Sequence, residues 1–161
     1  MSSRGVEQIL NYRRIAENIG TAGQPTADQF ADIRASGYQV VINLAMSDST
    51  NALPNEAELV AEQGMEYIHI PVAWEGPRDD DLDRFFDLMT RYQGRKVFVH
   101  CALNWRVSSF MLLYRVIHQG IPVELAKQAL SEVWTLDMIW HGFIRRSLTR
   151  YGIPASSESE I

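Results

Sequence analysis

The stretch Val97-Phe98-Val99-His100-Cys101-Ala102-Leu103-Asn104-Trp105-Arg106-Val107-Ser108-Ser109 decides how the rest of the chain is read. It opens with a short β-branched and aromatic run, the composition of a buried strand. Phe110-Met111-Leu112-Leu113-Tyr114-Arg115-Val116-Ile117 behind it predicts a helix. Strand, tight loop and helix in that order aim several backbone N–H groups and the positive end of a helix dipole at one point, so an anion belongs there. Cys101, the only cysteine, opens the loop. Its thiolate would be the anion nearest those donors, and a thiolate is the form that attacks an electrophile. Arg106 puts a guanidinium fork within reach of a bound oxyanion. A lone cysteine at a strand end is ordinarily a small apolar filler. His-Cys between an apolar strand and an Asn-Trp-Arg turn favours an anion-binding loop instead.

Upstream of this stretch the chain alternates. Tyr12 to Ala22 reads as one or two short strands ending at Ala22-Gly23-Gln24-Pro25. Thr26-Ala27-Asp28-Gln29 has capping-box spacing for a helix that Gly37 closes. Tyr38 to Leu44 is a strand, with Val40-Val41-Ile42 continuous enough for burial on both faces. A polar loop over 45–54 leads to a short helix from Asn55 to Gln63, then to the strand Glu66-Tyr67-Ile68-His69-Ile70. A loop with two prolines and a glycine follows. Asp79-Asp80-Asp81 falls in the first turn of the next helix, where the macrodipole accounts for the carboxylates without a metal. Downstream, helices are predicted over 123–133 and 136–151, and Trp134 and Trp140 sit among apolar neighbours as core residues. Strands alternating with helices predict an α/β domain with a central parallel sheet flanked by helices. Right-handed crossovers then bring the loops at 45–54, 71–78 and 101–106 to one sheet edge, where ligands bind.

A chain of 161 residues fits one domain, expected over 1–155 with a flexible tail at 156–161. One cysteine excludes an intramolecular disulfide, and no apolar signal core or membrane-length run is present, so the expectation is a cytoplasmic protein with no membrane partner. A net charge of −5 argues against a nucleic-acid surface. The late Arg145-Arg146 and Arg150 read as a solvated helix face. No cofactor and no metal are expected, and oligomeric state is left open.

Gly23-Gln24-Pro25-Thr26, Val41-Ile42-Asn43-Leu44, Ile70-Pro71-Val72 and Val99-His100-Cys101 together resemble the dual-specificity-like phosphatases of the beta-lactamase-hydrolase-associated type. The resemblance runs from about Tyr12 to Tyr114. It implies a dual-specificity-phosphatase-like fold and a phosphorylated substrate, or another small oxyanion, as partner. It also implies a mechanism in which Cys101 attacks phosphorus while Arg106 and the loop residues Ala102, Leu103, Asn104, Trp105 and Val107 surround the oxygens. A carboxylic acid from a neighbouring loop would protonate the leaving oxygen, and Glu75 is the candidate, with Asp79 behind it. A hydroxyl just past the arginine would help the thiolate leave; Ser108 is favoured over Ser109. His100 would orient the loop. Two departures stand out. Four residues, not five, separate Cys101 from Arg106, and Asn104 takes the glycine slot, where it is the side chain that best tolerates a left-handed backbone. A cysteine followed by four residues and arginine also resembles the persulfide loop of rhodanese-type sulfurtransferases. A third reading is a catalytically silent oxyanion-binding module, with Trp105 filling part of the pocket. Otherwise Trp105 would be a stacking platform or a cap on the core.

Overall fold

The computed structural model describes residues 3–153. The tail expected at 156–161 lies outside the described residues. The elements run α1 (Ser3–Glu7), β1 (Arg13–Ala16), β2 (Ile19–Ala22), α2 (Gln29–Ala35), β3 (Val40–Asn43), α3 (Glu56–Glu62), β4 (Glu66–His69), α4 (Asp79–Arg91), β5 (Val97–His100), α5 (Trp105–Gln119), α6 (Val123–Ser131) and α7 (Met138–Arg150). The five strands form one sheet in the order β1-β2-β5-β3-β4. The β2–β5, β5–β3 and β3–β4 pairs are parallel, and only β1 runs against its neighbour. The exception has a simple cause: two residues, Glu17 and Asn18, join β1 to β2, and so short a link makes a hairpin but cannot cross over a sheet.

Every residue of β3 and β5 is buried, because helices cover both faces of these inner strands. Side chains alternate across β5. Val97, Val99 and Cys101 join the larger core, which α4, α5, α6 and α7 close with residues such as Phe85, Phe110, Leu130 and Phe143. Phe98 points to the opposite core, where α1, α2 and α3 contribute Val6, Phe30 and Val60. The three aspartates expected in the first turn of a helix occupy the first turn of α4. Gly37 and Gly64 end α2 and α3 with φ of 97° and 77°, the left-handed backbone for which glycine has no steric penalty.

Register fixes where the site forms. Ala22 and Asn43 both lie opposite His100, and His69 lies opposite Asn43, so four parallel strands finish in line. The loops that begin at Gly23, Leu44, Ile70 and Cys101 therefore leave from one edge. No helix among the described residues is long and apolar enough to cross a membrane.

Candidate active site

The loop from Cys101 to Trp105 is built by turning its carbonyls outward. The Cys101 carbonyl faces Nδ1 of His100 at 3.3 Å. The Ala102 carbonyl accepts from the Gln24 backbone N–H at 3.1 Å and from Nδ2 of Asn51 at 3.2 Å. The Leu103 carbonyl accepts from Nδ2 of Asn11 at 2.9 Å, and the Asn104 carbonyl from the N–H of Ser108 at 2.9 Å. In a planar trans peptide the N–H points away from the C=O of the residue before it. Anchoring four successive carbonyls therefore turns the N–H groups of Ala102, Leu103, Asn104 and Trp105 to the other side. Among the described residues none of these N–H groups meets a protein acceptor. They are free donors at the N-terminus of α5, the 15-residue helix behind them.

Asn104 takes the left-handed backbone expected of it, with φ of 71°. Its side chain is buried and donates to the Asn11 carbonyl at 2.8 Å and to Oγ1 of Thr21 at 3.1 Å. Asn11 and Asn104 thus bind each other's loops reciprocally across more than 90 positions of sequence. His100 is fully buried, and its Nε2 lies 2.5 Å from the Glu56 carboxylate, which also accepts from Nε2 of Gln24 at 2.9 Å. With Nδ1 against a carbonyl that only accepts, the imidazole is fixed in orientation and holds the head of the loop.

Arg106 enters from the first turn of α5 and is 8% exposed. Its Nε donates to the Val72 carbonyl at 2.7 Å, and its guanidinium carbon lies 5.2 Å from the centre of the Trp74 ring. Among the described residues it has no carboxylate partner. A buried guanidinium without a counter-ion is costly, and its remaining N–H groups are available to a bound oxyanion. Trp74 and Trp105 face each other at 5.8 Å, Trp105 stacks on Trp134 at 5.0 Å, and Trp74 touches Trp134 and Trp140 at 5.4 and 5.3 Å. All four tryptophans of the chain make one cluster. Trp134 and Trp140 are buried, as their apolar neighbours suggested, and Trp105 is only half-buried.

These groups border a cleft of about 450 Å³ that draws on all three loops: Ser49, Thr50 and Asn51 after β3, Trp74 after β4, and Ala102, Leu103, Trp105 and Arg106 after β5. Cys101 has no exposed surface and does not itself line the cleft; it sits at the head of the loop, on the core side, directly before the lining residue Ala102. Glu75 is exposed on a turn and does not line the cleft. Asp79, the fallback acid, is also exposed, at the start of α4, and faces Arg150 at 3.5 Å. Ser108 and Ser109 both donate to the Trp105 carbonyl at 3.0 Å, and Ser108 lines a separate cavity of about 210 Å³ between β1, α5 and α6. Val107 is buried in the core. Asn11, Asn51 and Glu56 escaped the sequence reading, and Gln24 entered it only as part of a motif. The one signal they carry is a polar residue at a strand end or a helix start, which ordinary turn and cap chemistry explains equally well.

Comparison with known proteins fits this geometry. The model of a family described as DSP-PTPase phosphatase fused to NAD+ kinase matches residues 10–137, most of the chain. The chain belongs to the DSP-PTPase phosphatase family. The beta-lactamase hydrolase-like protein of Xylella fastidiosa (strain Temecula1) is 30% identical over 106 residues, 64% of this chain but 24% of that protein. The chain thus spans about a quarter of the length of the curated relatives it matches. Among solved structures, a candidate phosphatase (DUF442) from Shewanella putrefaciens CN-32 is similar with a TM-score of 0.83 and 30% identity, covering 92% of this chain and 98% of that one. Tk-PTP in its active form shares the fold alone, with a TM-score of 0.74 and 15% identity over 87% of this chain and 97% of its own. Family and fold make the chain a dual-specificity-like phosphatase domain, the family anticipated from its motifs.

Proposed function

We propose that the domain hydrolyses phosphate monoesters through a phosphocysteine on Cys101. The observation that carries this reading is the buried Arg106, without a carboxylate partner among the described residues, beside a run of free N–H groups at the start of α5. A phosphoryl group supplies the charge that the guanidinium lacks and the acceptors that the amides lack. In the first step the Cys101 thiolate attacks phosphorus: an S–P bond forms, the ester P–O bond breaks, and the leaving oxygen departs with the electron pair. In the second, water attacks the phosphocysteine, the S–P bond breaks, and inorganic phosphate and the thiolate are released. Arg106 and the loop amides hold the equatorial oxygens in both steps. His100, fixed by Glu56, holds the loop and not a substrate proton.

The test is hydrolysis of an activated aryl phosphate by the chain and by Cys101→Ser. The wild type is expected to release phosphate, and the variant to lose turnover while still binding phosphate, read through the emission of Trp74 and Trp105 at the cleft. A wild-type protein that releases no phosphate but gains one sulfur on Cys101 from thiosulfate would replace this reading with sulfur transfer.

A further inference from the structure

The loop that would have to deliver an acid to this cleft is clamped. The N–H of Val72 donates to the Leu44 carbonyl at 3.1 Å, and the Val72 carbonyl accepts from Arg106 at 2.7 Å. Two residues on, the Trp74 carbonyl accepts from Nε1 of the fully buried Trp140 at 3.0 Å, while the Trp74 ring lies against three other indoles. The Ala73 carbonyl accepts from the Gly76 N–H, which closes a tight turn with Glu75 at its outer corner. Carrying the Glu75 backbone into the cleft would displace its neighbour Trp74, whose carbonyl is bonded to Trp140 and whose ring is packed in the cluster. Among the described residues the cleft itself is lined by hydroxyls, an amide, apolar side chains and one guanidinium, and by no carboxylate; Asp48, exposed beside Ser49, is the nearest acid in sequence to these lining residues and does not line it.

An acid that protonates the leaving oxygen is ordinarily worth about 10²–10⁴ in rate, and most where that oxygen is strongly basic. We infer that the site accepts phosphoryl groups carried on weakly basic oxygens, which leave unprotonated: aryl phosphates, acyl phosphates and phosphoanhydrides, as against alkyl phosphates. This rests on the phosphatase reading above. The leaving group departs as phenolate, carboxylate or phosphate with the P–O electron pair and takes its proton from bulk water. The same lack of a carboxylate leaves the water of the second step without a base, so the phosphocysteine accumulates. The indole walls at Trp74 and Trp105 offer an aryl group a surface to lie on, and acyl phosphates and phosphoanhydrides share only the leaving-group chemistry.

The experiment is a structure–reactivity series on the full chain: aryl phosphates whose phenols become steadily less acidic, acetyl phosphate, inorganic pyrophosphate and a simple alkyl phosphate. kcat/KM is expected to fall steeply as the leaving oxygen becomes more basic. The alkyl ester should be slower than the most activated aryl ester by more than the ~10²–10⁴ that an acid would have supplied. A burst of phenol ahead of steady turnover should accompany phosphorylated Cys101, visible by mass. Rates that are flat across the series overturn the inference, as does a loss confined to poor leaving groups in Glu75→Gln or Asp48→Asn. A protein inert toward even the most activated ester overturns the phosphatase reading and this inference with it.

Discussion

Two loops of similar length meet at the cleft and are held by different physics. The loop at 101–106 is fixed by directional bonds: four carbonyls anchored by five residues, Asn11, Gln24, Asn51, His100 and Ser108, with Asn104 in a left-handed turn. The loop at 71–78 is fixed largely by area, through indoles packed on indoles, with side-chain donors from Arg106 and Trp140 on two of its carbonyls to keep it level. Hydrogen bonds set orientation, and a cradle for an anion needs its N–H groups aimed. Packing sets position and resists displacement, which suits a wall.

The largest effect should come from breaking the packed loop. Trp140→Ala removes a fully buried indole and should cost about 3–5 kcal/mol, read by denaturant unfolding, whereas Trp140→Phe keeps most of the contact and should lose little beyond the bond to Trp74, about 1 kcal/mol. Equal losses from the two variants would mean that the hydrogen bond, not the packing, holds this loop. Next comes the junction of the two loops. Arg106→Lys should lower kcat/KM toward an activated aryl phosphate by about 10²–10³, because an ammonium reproduces neither the fork nor the bond to Val72. A smaller effect tests the directional loop alone. Asn104→Ala should destabilise by about 2–3 kcal/mol, losing two hydrogen bonds and forcing a left-handed backbone on a side chain that resists it. Asn104→Gly should recover about 1 kcal/mol of that, since glycine adopts the turn freely. If glycine is no better than alanine, backbone conformation is not what the asparagine supplies.

The smallest effect concerns how α7 is kept over the packed loop. Arg150 and Tyr151 both bond Asp83 of α4, and the Arg150 guanidinium first, with the Tyr151 hydroxyl, holds the Asp83 carboxyl below the usual carboxylate range. A depressed native pKa means stability that is present above the unfolded value of about 4 and lost as pH falls through the native one. The pair is well exposed, so its worth is about 0.2–1 kcal/mol. Asp83→Asn should remove that increment at neutral pH and flatten the acid limb of the thermal midpoint against pH. An unchanged acid limb would show that this tie does not secure α7.

Legibility in the sequence followed the same division. The strand, the cysteine and the arginine of the 101–106 loop could be read because their identities and order carry the chemistry. The left-handed turn could be read because few side chains besides Asn104 tolerate it. The anchors could not: Asn11, Asn51 and Glu56 act on partners 44 to 92 positions away, and no local pattern announces a long-range bond. The wall at 71–78 was legible only in part. Trp134 and Trp140 declare themselves core by their apolar neighbours, although Trp134 lies in the link between α6 and α7, but Trp74 lies in an aperiodic loop, where sequence gives no direction to a side chain. The same aperiodicity made Glu75 an acid by position and left its outward turn invisible. The antiparallel β1 was within reach, since a two-residue link excludes a crossover, yet the run from Tyr12 to Ala22 gives no clear break between one strand and two.

Chain order separates the two loops in another way. Every group that anchors the outward carbonyls at Cys101, Ala102 and Leu103, and the Val72 carbonyl that receives Arg106, lies N-terminal to the loop. A polypeptide leaving the ribosome would therefore present the whole template before the cradle emerges, and the cradle would be completed as α5 forms. The indole that caps Trp74 arrives only with α7. During synthesis all the anchors of these three carbonyls are thus out before the residue that locks the wall, so the order of the chain puts the loop's template first and its neighbour's lock last.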